Sequence, residues 1–313
     1  MPRRIIEEEI MKKVLVFSAL LALCCGMVAA EDAAGGLRFS ITVTEFENKA
    51  GWYGQWDIGN AWGTVLTDML NQSGRFIVLG EGDMRNAAMD EQDLSASGRT
   101  AGGKKAAVTG QMTPAQLLVK GAITHVQDGT KKGGGGIRFK GLRLGGKGGK
   151  GEINATIYIV DASTGQVVAS KSVVGESKQK GMNIGYDTGS WGAAFGGETN
   201  DNVGLAVQAA CAEAVEFMIK QLPSFQWTGS VVMNKSGTIY VNRGTREGVG
   251  VGQRFIVGDV EVIRDPDTGE ILDEDMTTIA TLEVTKVKEK LSYCNVVSGD
   301  AGAVGKGMTI HIP

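Results

Sequence analysis

The sequence predicts an α+β protein: an α/β domain carrying two long β-hairpins, followed by a small all-β domain. Strand-like and helix-like segments alternate up to Leu222, the pattern of an α/β layer structure. The stretch Gly121–Ser170 leaves as a strand, crosses a basic, glycine-dense excursion with no acid between Gly129 and Gly151, and returns as a strand closed by a Ser-Thr-Gly turn. After Pro223 the texture changes to short valine- and glycine-rich strands with turns.

Leu37–Thr44 alternates as a first strand. Asn60–Asn71 places Trp62, Val65, Leu66, Met69 and Leu70 on one helical face, and Ser73-Gly74 ends it. Arg75–Leu79 reads as a short apolar strand and Asp83–Gln92 as a second helix. Thr113–Leu118 reads as a third helix, with Pro114 at a helix-start position. Leu118–Thr124 and Glu152–Val160 add strands; in the latter Ile153, Ala155, Ile157 and Ile159 alternate with Glu152, Asn154, Thr156 and Tyr158. Val203–Leu222 is a long amphipathic helix with Val203, Ala206, Val207, Ala210, Ala214, Val215 and Met218 toward a core. The first domain therefore covers residues 31–223, a linker 224–229, and a small β-barrel or sandwich residues 230–313.

The N-terminus indicates export. Lys12 and Lys13 precede the apolar run Val14–Leu23, and Val28-Ala29-Ala30 supplies small residues before Glu31, so residues 1–30 read as a secretory signal. The run is too short to span a membrane as a helix. Residues 1–10 carry three glutamates in a row, and Met11 is an alternative start. Lipidation at Cys24 or Cys25 is a second route to a membrane, although Leu23 and Cys24 stand where a lipoprotein signal prefers a small residue. About 280 residues remain, enough for two cored domains. The net charge of −3 directs the whole chain toward neither nucleic acid nor an acidic partner. Cys211 and Cys294 read as two buried thiols in separate domains.

Catalytic signals are sparse. His125 and His311 are the two histidines, each in a strand and neither with a ligand at metal spacing, so no metal, cofactor or enzymatic constellation is expected. Asp265-Pro266-Asp267-Thr268-Gly269 reads as a hairpin turn; it lacks the spacing of a calcium loop. Gly141–Lys147 fits most of a Walker A loop, with Gly148 in place of the required Ser or Thr, and Gly146–Gly151 matches GxGxxG. Both motifs need a following helix, and a strand follows here.

Four ordered segments carry a family resemblance. They are Thr67-Asp68-Met69-Leu70-x-x-Ser73-Gly74-Arg75-Phe76-x-Val78-Leu79, then Glu91-Gln92, then Leu118-x-x-Gly121-Ala122-Ile123, then Val160-Asp161-x-Ser163-Thr164-Gly165-Gln166-Val167. Over residues 37–222 the chain resembles the curli secretion channel family, CsgG. The resemblance implies a periplasmic α/β domain assembled as a homo-oligomeric ring. Each subunit would give two hairpins, about His125–Val160 and Ala169–Asn202, to one barrel in outer-membrane lipid. It further implies export of unfolded polypeptide, with periplasmic accessory partners and no nucleotide. The run Ile239–Phe255 resembles the C-terminal module of the flagellar assembly protein T family and implies a docking role.

Site residues follow from this. A spanning strand needs roughly 9–11 residues with apolar side chains toward lipid. Ile153, Ala155 and Ile157 of the first hairpin, and Trp191 and Phe195 of the second, are the membrane-facing candidates. Lys131, Lys132, Arg138, Lys140, Arg143, Lys147 and Lys150, with Lys178 and Lys180, are the lumen-charge candidates; lipid-facing cations would cost about 2–4 kcal/mol each at the midplane. The outward arm also reads as a solvated basic loop. The pore constriction implied by the resemblance falls on Trp52, Tyr53, Gln55 and Trp56; the three aromatics equally read as a cover for the first helix. The alternative to a pore is a non-spanning scaffold of the cell envelope.

Overall fold

The computed structural model describes residues 36–54, 56–104, 106–128, 138–139, 142–143, 151–177 and 202–313. These divide into two compact units, Phe39–Phe225 and a second made of Gln226–Pro313 with residues 36–38.

The first unit is a mixed sheet on which two of its helices pack. It begins with β1 (Phe39–Val43), β2 (Glu47–Asn48), α1 (Ile58–Gln72), β3 (Phe76–Val78) and α2 (Gly82–Ala96). It continues with β4 (Leu117–Gln127), the two-residue β5 (Arg138–Phe139) and β6 (Leu142–Arg143), β7 (Glu152–Asp161), β8 (Val167–Glu176) and α3 (Asn202–Gln221). The strand order is β3-β1-β4-β7-β8, with β2 also against β4. β1 runs parallel to both β3 and β4, while β4, β7 and β8 are antiparallel neighbours. All five residues of β1 are buried; on the face of Ser40 and Thr42 their hydroxyls donate to the Pro114 and Gly80 carbonyls, 2.8 and 2.9 Å.

The apolar alternation of β7 finds its partner in α3. Val203, Ala206, Val207, Ala210, Cys211, Ala214, Val215 and Met218 are buried, as are Ile153, Ala155, Ile157 and Ile159 of β7. At Gly175 of β8 the helix backbone lies so close that an added Cβ would sit 1.9 Å from the Ala206 carbonyl oxygen. This overturns one expectation: Ile153, Ala155 and Ile157 face the core and not lipid, because the alternation that suits a barrel wall equally suits a sheet under a helix. The hairpin bases move as well. β4 and β7 pair from Leu117↔Asp161 to Gln127↔Glu152, and β8 pairs with β7 up to Glu152↔Glu176. The insertions are therefore residues 128–151 and 177–201, shorter than read from sequence. Thr113–Leu118 is not helical; the Pro114 carbonyl accepts the Ser40 hydroxyl and Gln116 bonds Ser40, which draws the segment alongside β1 at the start of β4.

The second unit is a closed barrel. Its strands are β9 (Thr228–Lys235), β10 (Thr238–Val241), β11 (Arg254–Arg264), β12 (Ile271–Val287), β13 (Ser292–Gly299) and β14 (Thr309–His311), in the order β10-β13-β12-β11-β14-β9. Val231, Ile239, Val241, Phe255, Val257, Leu282, Val284, Cys294 and Ile310 fill it, and Trp227 stacks on Phe255 at 5.5 Å. The Arg38 N–H donates to the Glu247 carbonyl, 2.9 Å, attaching residues 36–38. Cys211 and Cys294 are free and buried, one in each unit. Burial pushes the Cys211 thiol well above its ordinary pKa and the Cys294 thiol up to about 12.

Candidate functional site

One end of the sheet gathers the stems of both insertions and the aromatic loop. Gln127, Glu152 and Glu176 lie side by side across β4, β7 and β8. Beyond them the Ser177 N–H donates to the Gly151 carbonyl at 2.9 Å, and the Gly151 N–H to the Ser177 hydroxyl at 2.9 Å. Gly151 also lies against the first residue of α3; a Cβ there would fall 2.3 Å from the Asn202 carbonyl oxygen. The four stems of the two insertions (128, 151, 177 and 202) thus leave the domain in adjacent positions. Gly151 is glycine because the second stem passes directly over the helix start.

The aromatic loop emerges at the same end. β2 runs parallel to β4, pairing Glu47↔Ala122 and Asn48↔Ile123, and the Lys49 N–H donates to the Ile123 carbonyl at 2.9 Å. The chain leaving β2 therefore heads toward Gln127. Asn48 then fixes the loop: its side-chain amide donates to the Trp52 carbonyl at 2.7 Å and its oxygen accepts the Trp52 N–H at 3.4 Å. Gly51 turns with φ +62°, and Gly54 lets the Trp52 ring fold across its own backbone, where a Cβ would meet the ring at 1.8 Å. Asp57 closes the loop by capping α1, accepting the Gly59 and Asn60 N–H groups at 2.9 and 3.2 Å.

Phe46 covers the first helix. Phe46 is buried, stacks on Trp62 at 5.4 Å, and occupies the space over Gly121 that a side chain would fill. Trp52 and Trp56 are half-buried against each other at 5.0 Å, and Tyr53 is 94% exposed. Together with Glu45, Glu47, Asn48 and Asp57 they line a cleft of 680 Å³. A rigid, outward-pointing aromatic on a loop pinned at both ends presents area at little conformational cost.

The other site candidates divide by position. Arg138 and Arg143 pair opposite each other in the short β5–β6 hairpin. Gln55, Lys131, Lys132, Lys140, Lys147, Lys150, Lys178, Lys180, Trp191 and Phe195 lie outside the described residues, as do Cys24, Cys25 and the signal segment. Lys171, inside the sheet, pairs with Glu213 of α3 at 2.8 Å and lies over the Phe217 ring. Among the described residues no group of His, Cys, Asp and Glu is placed to hold a metal ion. Asn48 and the stem residues Gly151 and Ser177 were not recognisable from sequence, where Asn202 reads as the end of the second hairpin; only the pairing of distant strands brings them together.

The family model for the curli production assembly/transport component CsgG matches residues 26–245. The chain belongs to the CsgG family. The match takes in the whole sheet unit and the first strands of the barrel. Among solved structures, the chain is similar to a PelC dodecamer from Paraburkholderia phytofirmans, with 11% identity and a TM-score of 0.30 over 57% of this chain and 86% of that one. It is also similar to the hypothetical protein CT253 from Chlamydia trachomatis, with 10% identity and a TM-score of 0.36 over 60% and 99%. A third is the lipoprotein GNA1162 from Neisseria meningitidis, with 17% identity and a TM-score of 0.25 over 60% and 99%. At such low identity and superposition none of the three transfers a role to this CsgG-family chain. No curated protein matches it.

Proposed function

We propose that this CsgG-family chain is an exported subunit of a ring-forming outer-membrane secretion channel that passes unfolded polypeptide without nucleotide hydrolysis or any catalytic step of its own. The observation that carries the reading is the set of four adjacent stems at one end of the sheet, with the aromatic loop beside them. Insertions 128–151 and 177–201 are each long enough for two strands of roughly 9–11 residues and a turn, the length that crosses a bilayer. Two hairpins give four strands, fewer than the eight or so of the smallest closed barrels, so closure requires several copies. With the sheet end at the membrane, Trp52, Tyr53 and Trp56 stand at the barrel mouth, where a ring of copies would narrow the path.

Membrane extraction and imaging test this. The full chain should resist carbonate and salt, require detergent, and yield ring particles that conduct in planar bilayers. With the lysines and arginines of the two insertions facing the lumen, the conductance should prefer anions at low salt and lose that preference as salt rises. Replacing 129–150 and 178–201 by short turns should release a folded, soluble protein. Release of the unaltered chain by carbonate, with no conductance, would point instead to a non-spanning envelope scaffold.

A further inference from the structure

The β11–β12 hairpin outgrows its barrel. β14 accompanies β11 only at Ile256–Gly258, and β13 accompanies β12 only from Ala280 onward. Between Asp259 and Thr278 the two strands therefore pair with each other alone, as an exposed two-stranded ribbon. Such ribbons are marginal in water unless something covers them.

The register gives the ribbon a strongly acidic face. Asp259↔Thr277, Glu261↔Asp275 and Ile263↔Asp273 are opposite pairs, so Asp259, Glu261, Asp273 and Asp275 share one side with Ile263 at its outer end. Glu261 and Asp275 stand directly across from each other, a repulsive arrangement, and among the described ion pairs none contains any of the four acids. The opposite face carries Val260, Val262 and Met276, with Glu274 across from Val262.

The far end of β12 and the residue just past it carry the opposite charge. Lys286 and Lys288 are exposed, and their ammonium groups lie 5.4 and 5.8 Å from the ring of Tyr293, which contacts Tyr240 at 4.9 Å. The two lysines are spaced two residues apart along a strand direction, as are Asp259 with Glu261 and Asp273 with Asp275. Each spacing is about 6.6 Å, so the two faces match in pitch. Ile263 also has apolar ring surface to meet.

These complementary patches cannot meet within one chain, because a continuous strand separates them by about 40 Å. We infer that the acidic face of the β11–β12 ribbon docks on the Lys286–Lys288–Tyr293 patch of a second copy of this chain. The contact is head-to-tail, and such contacts repeated from copy to copy close into rings when the rotation permits. The inference rests on the ring reading above, and adds to it an interface in the barrel unit.

Charge reversal of the full chain tests it in detergent at low salt. Glu261→Lys with Asp275→Lys, or Lys286→Glu with Lys288→Glu, should raise the concentration for half-assembly by roughly tenfold or more. Mixing the two variants in equal amounts, or combining all four changes in one chain, should restore assembly. The positions are exposed, so each variant should keep the wild-type melting temperature; a variant that does not fold is replaced by Glu261→Gln with Asp275→Asn, for which a smaller loss is expected. Wild-type rings with reversed variants assembling equally well would overturn this contact while leaving the ring reading intact. A monomeric wild-type chain would overturn both.

Discussion

The β7–β8 hairpin turns at Asp161–Gly165 and the β11–β12 hairpin at Asp265–Gly269, and the two turns are built alike. In the first, the Asp161 carboxylate accepts the Ser163 and Thr164 N–H groups at 2.7 and 2.8 Å, and Gly165 has φ +74°. In the second, the Asp265 carboxylate accepts the Asp267 and Thr268 N–H groups at 2.7 and 3.0 Å, and Gly269 has φ +75°. Those backbone donors hold the Asp265 carboxyl below the usual carboxylate range. Yet β7 ends up under α3 with its apolar face dry, whereas the outer ribbon is bare on both faces. The turn code is local and sets where the chain reverses. What covers the strands is set elsewhere, and here it separates a core hairpin from a free arm.

The contrast breaks most sharply at the apolar positions. Ile157→Ala should cost about 2–5 kcal/mol, since it empties a fully buried site beneath α3. Val262→Ala, on the ribbon, should stay within about 0.5 kcal/mol. Chemical denaturation of both variants checks this, and equal losses would mean the ribbon is already covered in the free chain.

The turns themselves should respond next. Gly165→Ala and Gly269→Ala both force a side chain into a left-handed backbone and should each cost about 1–2 kcal/mol locally. Only the first should lower the global melting temperature, because the ribbon opens without the barrel. Hydrogen exchange sharpens the same point, with amides of Ile153–Ile159 slow and those of Asp259–Arg264 fast in the unassembled chain. Assembly should slow the second group if copies dock there.

The smallest effect concerns the thiols. Neither Cys211 nor Cys294 should react with a thiol reagent at pH 8 in the folded protein, since burial holds both protonated, and both should react after denaturation. Reaction of Cys294 alone would show the barrel opening independently of the sheet unit.

The sequence alone determined the elements whose code is local. The apolar faces of α1 and α3, the alternation of β7, both Asp-x-x-Thr-Gly turns and the change of texture after Pro223 were legible because spacing and turn chemistry act over a few residues. Trp52, Tyr53 and Trp56 were legible as a candidate loop, though not that Phe46 covers Trp62. Tertiary structure decided whether an alternating strand meets lipid or helix. It moved Ile153, Ala155 and Ile157 inward, took β8 out of the second hairpin, and drew Pro114 and Gln116 to Ser40. It alone set the four stems, the aromatic loop and the acidic ribbon in place. Periodicity reports that a face is apolar, and only the packing of distant segments determines what that face is turned against.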